Sequence, residues 1–406
     1  MVTTSQALVY DPFSDAFKDD PFSVYQQLRD DAPLYHNEKW GFWALSRFED
    51  VRAAARDPQT FLSFEGIDID DTAKDMSSPG FLPDIDNPRH DQLRSVVQRT
   101  FLPRPVARLE AQIRQVVERL VDEFADAGTA DLATQLAWPL PYEVFFDVLG
   151  LPTSGPDRDD LVGWSHGLKD REPDDPSLTP VAWNALASTK GYLAQVLSER
   201  RERPREDLLT TLATAEVDGV PFADPEITPE SEIVGLTFVL FMAGIESTAG
   251  LLSTAFRALA DEPEQRARLV ADPRAVPGAV EEAVRFDCPL QVVGRTTSTP
   301  VTLHGRTMPE GARVFLLYGS ANRDERRYEH ADRFDAFRGT SRHLGFGEGL
   351  HGCLGAPLAR LEAKVALEVA LPRLGDYRVS GPVKRYRSTP NMRVTASLPV
   401  TFPAER

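Results

Sequence analysis

Cysteine is nearly absent: Cys288 and Cys353 are the only two in 406 residues. A disulfide framework is therefore not expected, and a reducing, cytoplasmic setting is. Basic residues are outnumbered, 45 Lys and Arg against 62 Asp and Glu, for a net charge of -17, which argues against a nucleic-acid binder. Met1 to Asp20 has neither a positively charged start nor an apolar run, so no signal peptide or membrane anchor is expected. The most apolar segment, Ile233 to Ile245, is shorter than the about 20 residues a membrane span needs. It runs straight into Glu246, as a buried core helix can. Repeats, low-complexity tracts and long linkers are also missing, so residues 1–406 read as one domain. What the chain does have is 42% hydrophobic residues, enough for a sizeable core.

Helical spacing of apolar residues recurs from Val106 to Phe124, Tyr142 to Leu149 and Trp183 to Arg200, punctuated by Pro, Gly and Asp. Thr228-Pro229-Glu230 reads as an N-cap with proline in the first turn, opening a helix that should run to about Leu259. Lys39 to Leu45 reads as a strand, with Ser46 a candidate cap for the next helix. Val301-Thr302-Leu303 and Arg313 to Tyr318 read as short paired strands around a turn at Pro309-Glu310-Gly311, and Met392 to Phe402 alternates. The fold class is mainly α with a minor β region.

One cysteine lies in a loop built largely of glycine, Gly345-Phe346-Gly347-Glu348-Gly349-Leu350-His351-Gly352-Cys353-Leu354-Gly355. Residues 347–352 fit G-x-G-x-x-G, but the charged stretch Arg333 to Arg342 stands where a dinucleotide-binding fold needs a buried strand. A phosphate loop fails too, because no Lys-Ser or Lys-Thr closes the run. The third reading makes Cys353 the reason for the glycines. Leu354, Leu358, Leu361, Val365 and Val369 are helically spaced, so Cys353 sits at a helix N-terminus, where amide groups favour a thiolate. Glycine would let the backbone approach a flat cofactor. A lone cysteine is more commonly an inert core residue, so this reading rests on what accompanies it.

Residues 346–355, continuing into Leu358-Ala359-Arg360, resemble the F-G-x-G-x-H-x-C-x-G pattern of the cytochrome P450 haem-thiolate monooxygenases. The resemblance implies the P450 fold, with a long central helix over haem b, and makes Cys353 the axial iron ligand, whose anionic sulfur favours O–O cleavage. It implies cofactor contacts for Phe346 and Gly355, and propionate contacts for His90 and Arg94 in the segment 86–94, for Arg295 and for His351. Glu282-Ala283-Val284-Arg285 matches the family's E-x-x-R; by spacing alone it is an ordinary helical ion pair, and the resemblance gives it a structural role beside the cysteine loop. Ala243-Gly244-Ile245-Glu246-Ser247-Thr248 resembles the family's A-G-x-D/E-T-T/S segment. Small Ala243 and Gly244 would leave room for dioxygen, and Glu246 with Ser247 would relay protons. Ser247 replaces the usual threonine and lacks the methyl that fixes its rotamer; Thr248 would substitute only if the helix bulged.

Electrons must come from a separate ferredoxin or flavodoxin with its reductase, because the chain carries no flavin or iron–sulfur domain of its own. Arg99, Arg104, Arg342 and Arg360 fall in segments expected on the cysteine side, where an acidic partner would dock. A monomer is expected, without nucleic acid or membrane. Pocket positions carried over from the family are Phe64, Met76, Phe81, Leu82, Val239, Ala243, Leu290, Val292, Val293 and Met392. They are mostly apolar, which implies a small hydrophobic substrate; each also reads as ordinary core. The run Glu282 to Glu362 is similar to members acting on aromatic acids and ethers, pointing to aromatic hydroxylation or O-demethylation, with terpenoids, fatty acids and polyketides as alternatives. A hydrogen-peroxide-driven peroxygenase is the competing enzyme reading, disfavoured by Glu246 and Ser247. A non-catalytic haem sensor and a nucleotide-binding protein are the remaining ones.

Overall fold

The computed structural model describes residues 8–69, 78–172, 175–339, 342–386 and 391–405. Its principal helices are α1 (Phe22–Asp31), α2 (Phe48–Ala55), α3 (Arg89–Val97), α4 (Glu110–Asp122), α5 (Pro139–Leu149), α6 (Pro156–Gly167), α7 (Pro180–Glu202), α8 (Glu232–Asp261), α9 (Pro263–Ala271), α10 (Val276–Phe286) and α11 (Ala356–Leu374). Helix α8 packs against α5, α7, α10 and α11. Ile233 through Phe241 are all buried, as befits a helix apolar on every side and surrounded by others. By length and composition it could cross a membrane, but 72% of its most apolar stretch is buried inside the protein, which makes it a core helix.

This helix begins later than its sequence suggests. Thr228 N donates to Ser231 Oγ at 2.9 Å, so the Pro229-Glu230 stretch is a turn and Ser231 takes the cap position. Val106 to Phe124 likewise divides, into a short helix Pro103–Ala107 and α4. Ser46 does not cap α2; its hydroxyl turns back to Pro33 O, and Asp324 accepts from Phe48 N at 2.9 Å instead. A cap supplied from 276 residues away carries no local sequence signal.

The largest sheet has five strands in the order β1 (Leu34–Asn37), β2 (Phe42–Leu45), β7 (Arg313–Leu317), β4 (Val292–Thr297) and β3 (Phe61–Leu62). Lys39 to Gly41 belongs to the turn before β2, with Trp40 N donating to Asn37 Oδ1 at 3.0 Å. β5 (Val301–Leu303) pairs with β6 (Arg306–Met308) and not with β7. His304 and Gly305 both have positive φ, 51° and 74°, the two-residue turn that suits a tight hairpin. β7 instead pairs with β2 and β4, Val314 lying opposite both Trp43 and Arg295. Near the end, Thr395–Ser397 and Pro399–Thr401 are strands in separate sheets.

Glu282 and Arg285, one turn apart on α10, form a bidentate pair with both bonds at 2.7 Å. Their side chains are 3% and 1% exposed, so this is a buried hub rather than a surface ion pair. Arg285 also donates to Asn322 O and Ala331 O at 2.8 Å and to Arg333 O at 3.0 Å. Glu282 accepts from Asp335 N and from Arg338. Asn322 Oδ1 then accepts from Leu344 N at 2.7 Å, at the threshold of the cysteine loop. Removing one partner of a buried pair strands the other charge, so Arg285→Ala should lower unfolding free energy by about 3–5 kcal/mol. Urea denaturation measures this, and a loss below about 1 kcal/mol would contradict the hub.

Candidate active site

The glycine loop is held between two helices. A Cβ on Gly345 would stand 2.7 Å from Val284 O on α10, and one on Gly349 would stand 2.4 Å from Ala55 O at the end of α2. Gly349 also has φ +76° and Gly347 φ +66°, conformations costly for other residues. Gly345 and Gly349 therefore serve close approach to the protein's own backbone, a use beyond the approach to a flat cofactor expected from the sequence. Cys353 N donates to Phe346 O at 2.8 Å and closes the loop. Gly355 caps α11. Burial pushes the Cys353 thiol up, while the amides of Gly355 and Ala356, with Arg94 and Arg360, pull it back toward thiolate. Cys353 is nevertheless exposed as a residue and belongs to none of the packed apolar clusters.

Beside it, cation-capable groups converge from three parts of the chain. His90 and Arg94 lie one turn apart on α3. Arg94 donates to Gly352 O at 2.8 Å, tying α3 to the loop. The His90 and His351 rings meet edge-on at 4.6 Å, and Arg295 comes from β4 with 3% exposure. His351 is pushed down to about 3 by burial and by the charges of Arg295, His90 and Arg94. Burial lowers the other three as well. His90 Nε2 and His351 Nδ1 are buried without a partner. Such a cluster is in deficit of negative charge and of acceptors. Sequence reasoning missed Ser63, whose hydroxyl lies 3.0 Å from His351 Nε2 and whose amide donates to Asp86; nothing local marks it.

On α8, Ala243 is exposed and Glu246 and Ser247 are half-buried, whereas Thr248 is buried. Ser247 Oγ donates to Ala243 O at 2.7 Å and Thr248 Oγ1 to Gly244 O at 3.1 Å. The helix is regular here, without the bulge that would bring Thr248 round, so Thr248 faces the core and is withdrawn as a relay candidate. Gly244 also has a different use: a Cβ there would meet the Phe145 ring at 2.7 Å. Its small size makes room for Phe145, and the open position is Ala243.

Of the pocket candidates, Phe81, Leu82, Val239 and Met392 join one apolar cluster. Leu290, bridged to Met392, and Val293 pack in the next. Val292 is fully buried in a third cluster with Tyr10, Tyr25 and Phe315; adjacent strand residues face opposite sides, so Val292 is corrected to structural core. Phe64 is 60% exposed. Met76 lies outside the described residues. Phe346 is half-buried, with Arg360 4.4 Å above its ring. Arg99, Arg104 and Arg342 are exposed, but Arg360 is committed to Glu281 at 2.6 and 2.9 Å. Arg52 on α2 and Arg56 just after it, overlooked in the sequence, reach the loop's Glu348 at 2.9 and 3.1 Å, with Arg342 at 3.7 Å.

An exposed loop cysteine, a cation cluster beside it and a long helix with an accessible acid and hydroxyl are the arrangement of a haem-thiolate oxygenase. The chain belongs to the cytochrome P450 family. A family model described as Cytochrome P450 matches residues 177–375. A putative cytochrome P450 123 of Mycobacterium tuberculosis is 35% identical over 98% of both chains. The polyketide biosynthesis cytochrome P450 PksS of Bacillus subtilis is 31% identical over 98% of this chain and 99% of its own. A solved structure of cytochrome P450 CREJ in complex with (4-ethylphenyl) dihydrogen phosphate superposes with TM-score 0.86, at 28% identity over 97% of this chain and 99% of that one. The protein is thus a monooxygenase that binds haem b. The residues present fit that group: a cysteine sulfur for iron, and the unpartnered His90 and His351 nitrogens with Arg94 and Arg295 for two propionates.

Replacing the sulfur tests the assignment. Cys353→Ala should lose the Soret band of thiolate-ligated ferrous carbonyl haem, and its retention would exclude Cys353 as the ligand. A second expectation concerns Glu281 behind the loop. Burial raises its carboxyl, but hydrogen bonds from His343 and Arg360 prevail and hold it down at about 2. A carboxylate depressed from 4.5 contributes stability that is present above about pH 4.5 and lost as the pH falls toward 2. Glu281→Gln should therefore cost about 2 kcal/mol near neutrality, after discounting for partial exposure. That gap, read by urea denaturation at successive pH values, should close on acidification; a constant gap would show that the pair does not act through charge.

Proposed function

We propose that this monooxygenase hydroxylates an apolar carbon skeleton of the polyketide type, using electrons from a separate ferredoxin and protons relayed by Glu246 and Ser247. The observation that carries the relay is the accessible acid and hydroxyl on a helix otherwise enclosed in apolar core. Bound haem supplies the activation of dioxygen. The protein's own part is to anchor it through Cys353, to neutralise its propionates, and to bring protons to the oxygen side. Ser247 Oγ, whose hydrogen is engaged by Ala243 O, is left with lone pairs to receive a proton from Glu246. This acid–hydroxyl pair also favours electron-driven chemistry over peroxide-driven chemistry.

The polyketide reading is supported by the name of PksS and by the apolar cluster of Phe81, Leu82, Val239 and Met392. A second reading, oxidation of a small aromatic compound, is supported by the aryl phosphate in the CREJ structure. For the electron partner, Arg52, Arg56 and Arg342 surround Glu348, with Arg52 shared with Glu49 at 3.5 Å, so three cations face two carboxylates. The excess positive charge would steer an acidic protein to the cysteine side despite the chain's net negative charge.

The test is a titration of the oxidised holoenzyme with macrolactones and with 4-alkylphenyl compounds, followed by turnover with ferredoxin and reductase. A high-spin shift and product from a macrolactone support the main reading. A shift with the aryl compounds alone selects the second. Arg342→Glu should raise the apparent KM for ferredoxin and weaken its salt dependence; indifference to both the substitution and ionic strength would reject the docking face.

A further inference from the structure

Ser63 follows directly on β3, and its backbone is clamped by Asp86. The Ser63 amide donates to the two carboxylate oxygens at 2.9 and 3.1 Å, and the Phe64 amide donates to one of them at 3.1 Å. Asp86 O in turn accepts from His90 N at 3.0 Å, in the first turn of α3. One aspartate thus joins the end of β3 to the helix that carries His90 and Arg94. None of these bonds uses the Ser63 hydroxyl, although the residue is fully buried. Among the described residues that hydroxyl has a single partner, His351 Nε2 at 3.0 Å.

The His351 ring is held from its own loop. Arg94 donates to Leu350 O at 3.5 Å and to Gly352 O at 2.8 Å, so the backbone before and after the ring is tied to α3. Nδ1 is buried without a partner. Burial and the neighbouring guanidiniums of Arg295 and Arg94 keep the ring neutral, so it carries one hydrogen, on Nδ1 or on Nε2. With the hydrogen on Nε2, the ring donates to Ser63, and both the serine hydrogen and the Nδ1 lone pair are left buried and unsatisfied. With the hydrogen on Nδ1, Ser63 donates to bare Nε2, and only the Nδ1 donor still waits for a partner. Stranded buried polar groups are costly, so the second arrangement is favoured. It is also the only one that can serve a carboxylate, which accepts hydrogen bonds and does not donate them.

We propose that Ser63 is a positioning residue for the cofactor: by donating to His351 Nε2 it fixes the ring hydrogen on Nδ1, ready to be given to a haem propionate. This rests on His351 serving as a propionate contact. A histidine that binds a metal has its far nitrogen fixed by an acceptor, because the near one must be bare. Here the near nitrogen has to donate to an anion, so the partner on the far side must be a donor, and a serine hydroxyl is one. Asp86 sets the place of that hydroxyl from β3 and α3, independently of the loop that brings His351 to meet it.

The test uses NMR of the ferrous carbonyl holoenzyme, which is diamagnetic, with 15N-labelled histidine. The His351 resonances are assigned by their absence from His351→Phe. We expect the ring hydrogen on Nδ1, and a bare Nε2 whose resonance moves in Ser63→Ala toward that of a nitrogen accepting no hydrogen bond. Ser63→Ala keeps the backbone donors to Asp86 and so leaves the clamp in place. Transfer of haem to apomyoglobin should be about tenfold faster from Ser63→Ala than from the native protein. The double variant Ser63→Ala/His351→Phe should lose haem no faster than His351→Phe. Hydrogen found on Nε2 in the native holoenzyme overturns the proposal. An equal acceleration by Ser63→Ala in the native and His351→Phe backgrounds would make Ser63 a packing residue and refute it too. Faster loss from His351→Phe with native retention in Ser63→Ala refutes the positioning role and leaves the propionate contact standing. Native retention in His351→Phe would remove that contact, and the proposal with it.

Discussion

The buried pair of Glu282 and Arg285 is the constraint on which the cysteine loop depends. Two opposite charges removed from water are tolerable only when every remaining donor and acceptor is satisfied. Here the satisfying groups are backbone atoms of the segment from Asn322 to Asp335, together with Arg338. The electrostatic demand of one helical turn thereby shapes irregular chain that has no regular hydrogen-bond ladder of its own. From Asn322 the order passes to Leu344. The loop begins one residue later, and Gly345 lies so close to α10 that a side chain would strike Val284. The helix that holds the charge pair is the one on which the loop rests.

The cation cluster beside the loop is assembled on a different principle. Arg94 and Arg295 bring two cations beside His90 and His351, whose rings burial and those charges keep neutral, and hydrogen bonds to Ser63, Asp91 and backbone carbonyls fix the four side chains. Arg94 is the link between the two halves, because its guanidinium reaches carbonyls of the loop from α3. Two cations and two unpartnered ring nitrogens at one place are a set of groups that an anion would satisfy.

Much of this was legible in the sequence because it is carried by short, rigid signals. The loop residues 345–355, the E-x-x-R spacing and the apolar run of α8 each announce themselves within a few residues. What escaped depends on partners far away in the chain. Ser46 looks like a cap until Asp324 arrives from the other side of the molecule, and Ser63 acquires a role only when His351 meets it across 288 positions. Val292 and Val293 look equivalent as letters, yet the pleat of the strand sends them into different clusters. Gly244 was read for the space it leaves on one side of α8, whereas Phe145 claims that space from the other. Arg360 reads from the sequence as one of four arginines on the expected docking side, but Glu281 holds it.

The contact between Gly244 and Phe145 also makes α8 behave as a movable partition. With no side chain to act as a spacer, the distance between α5 and α8 at this level is set by the thickness of one aromatic ring. A smaller residue at 145 would let the partition recede, and a bulkier one would drive it forward. The position of exposed Ala243 is thus adjustable from behind the helix, through a residue on another element.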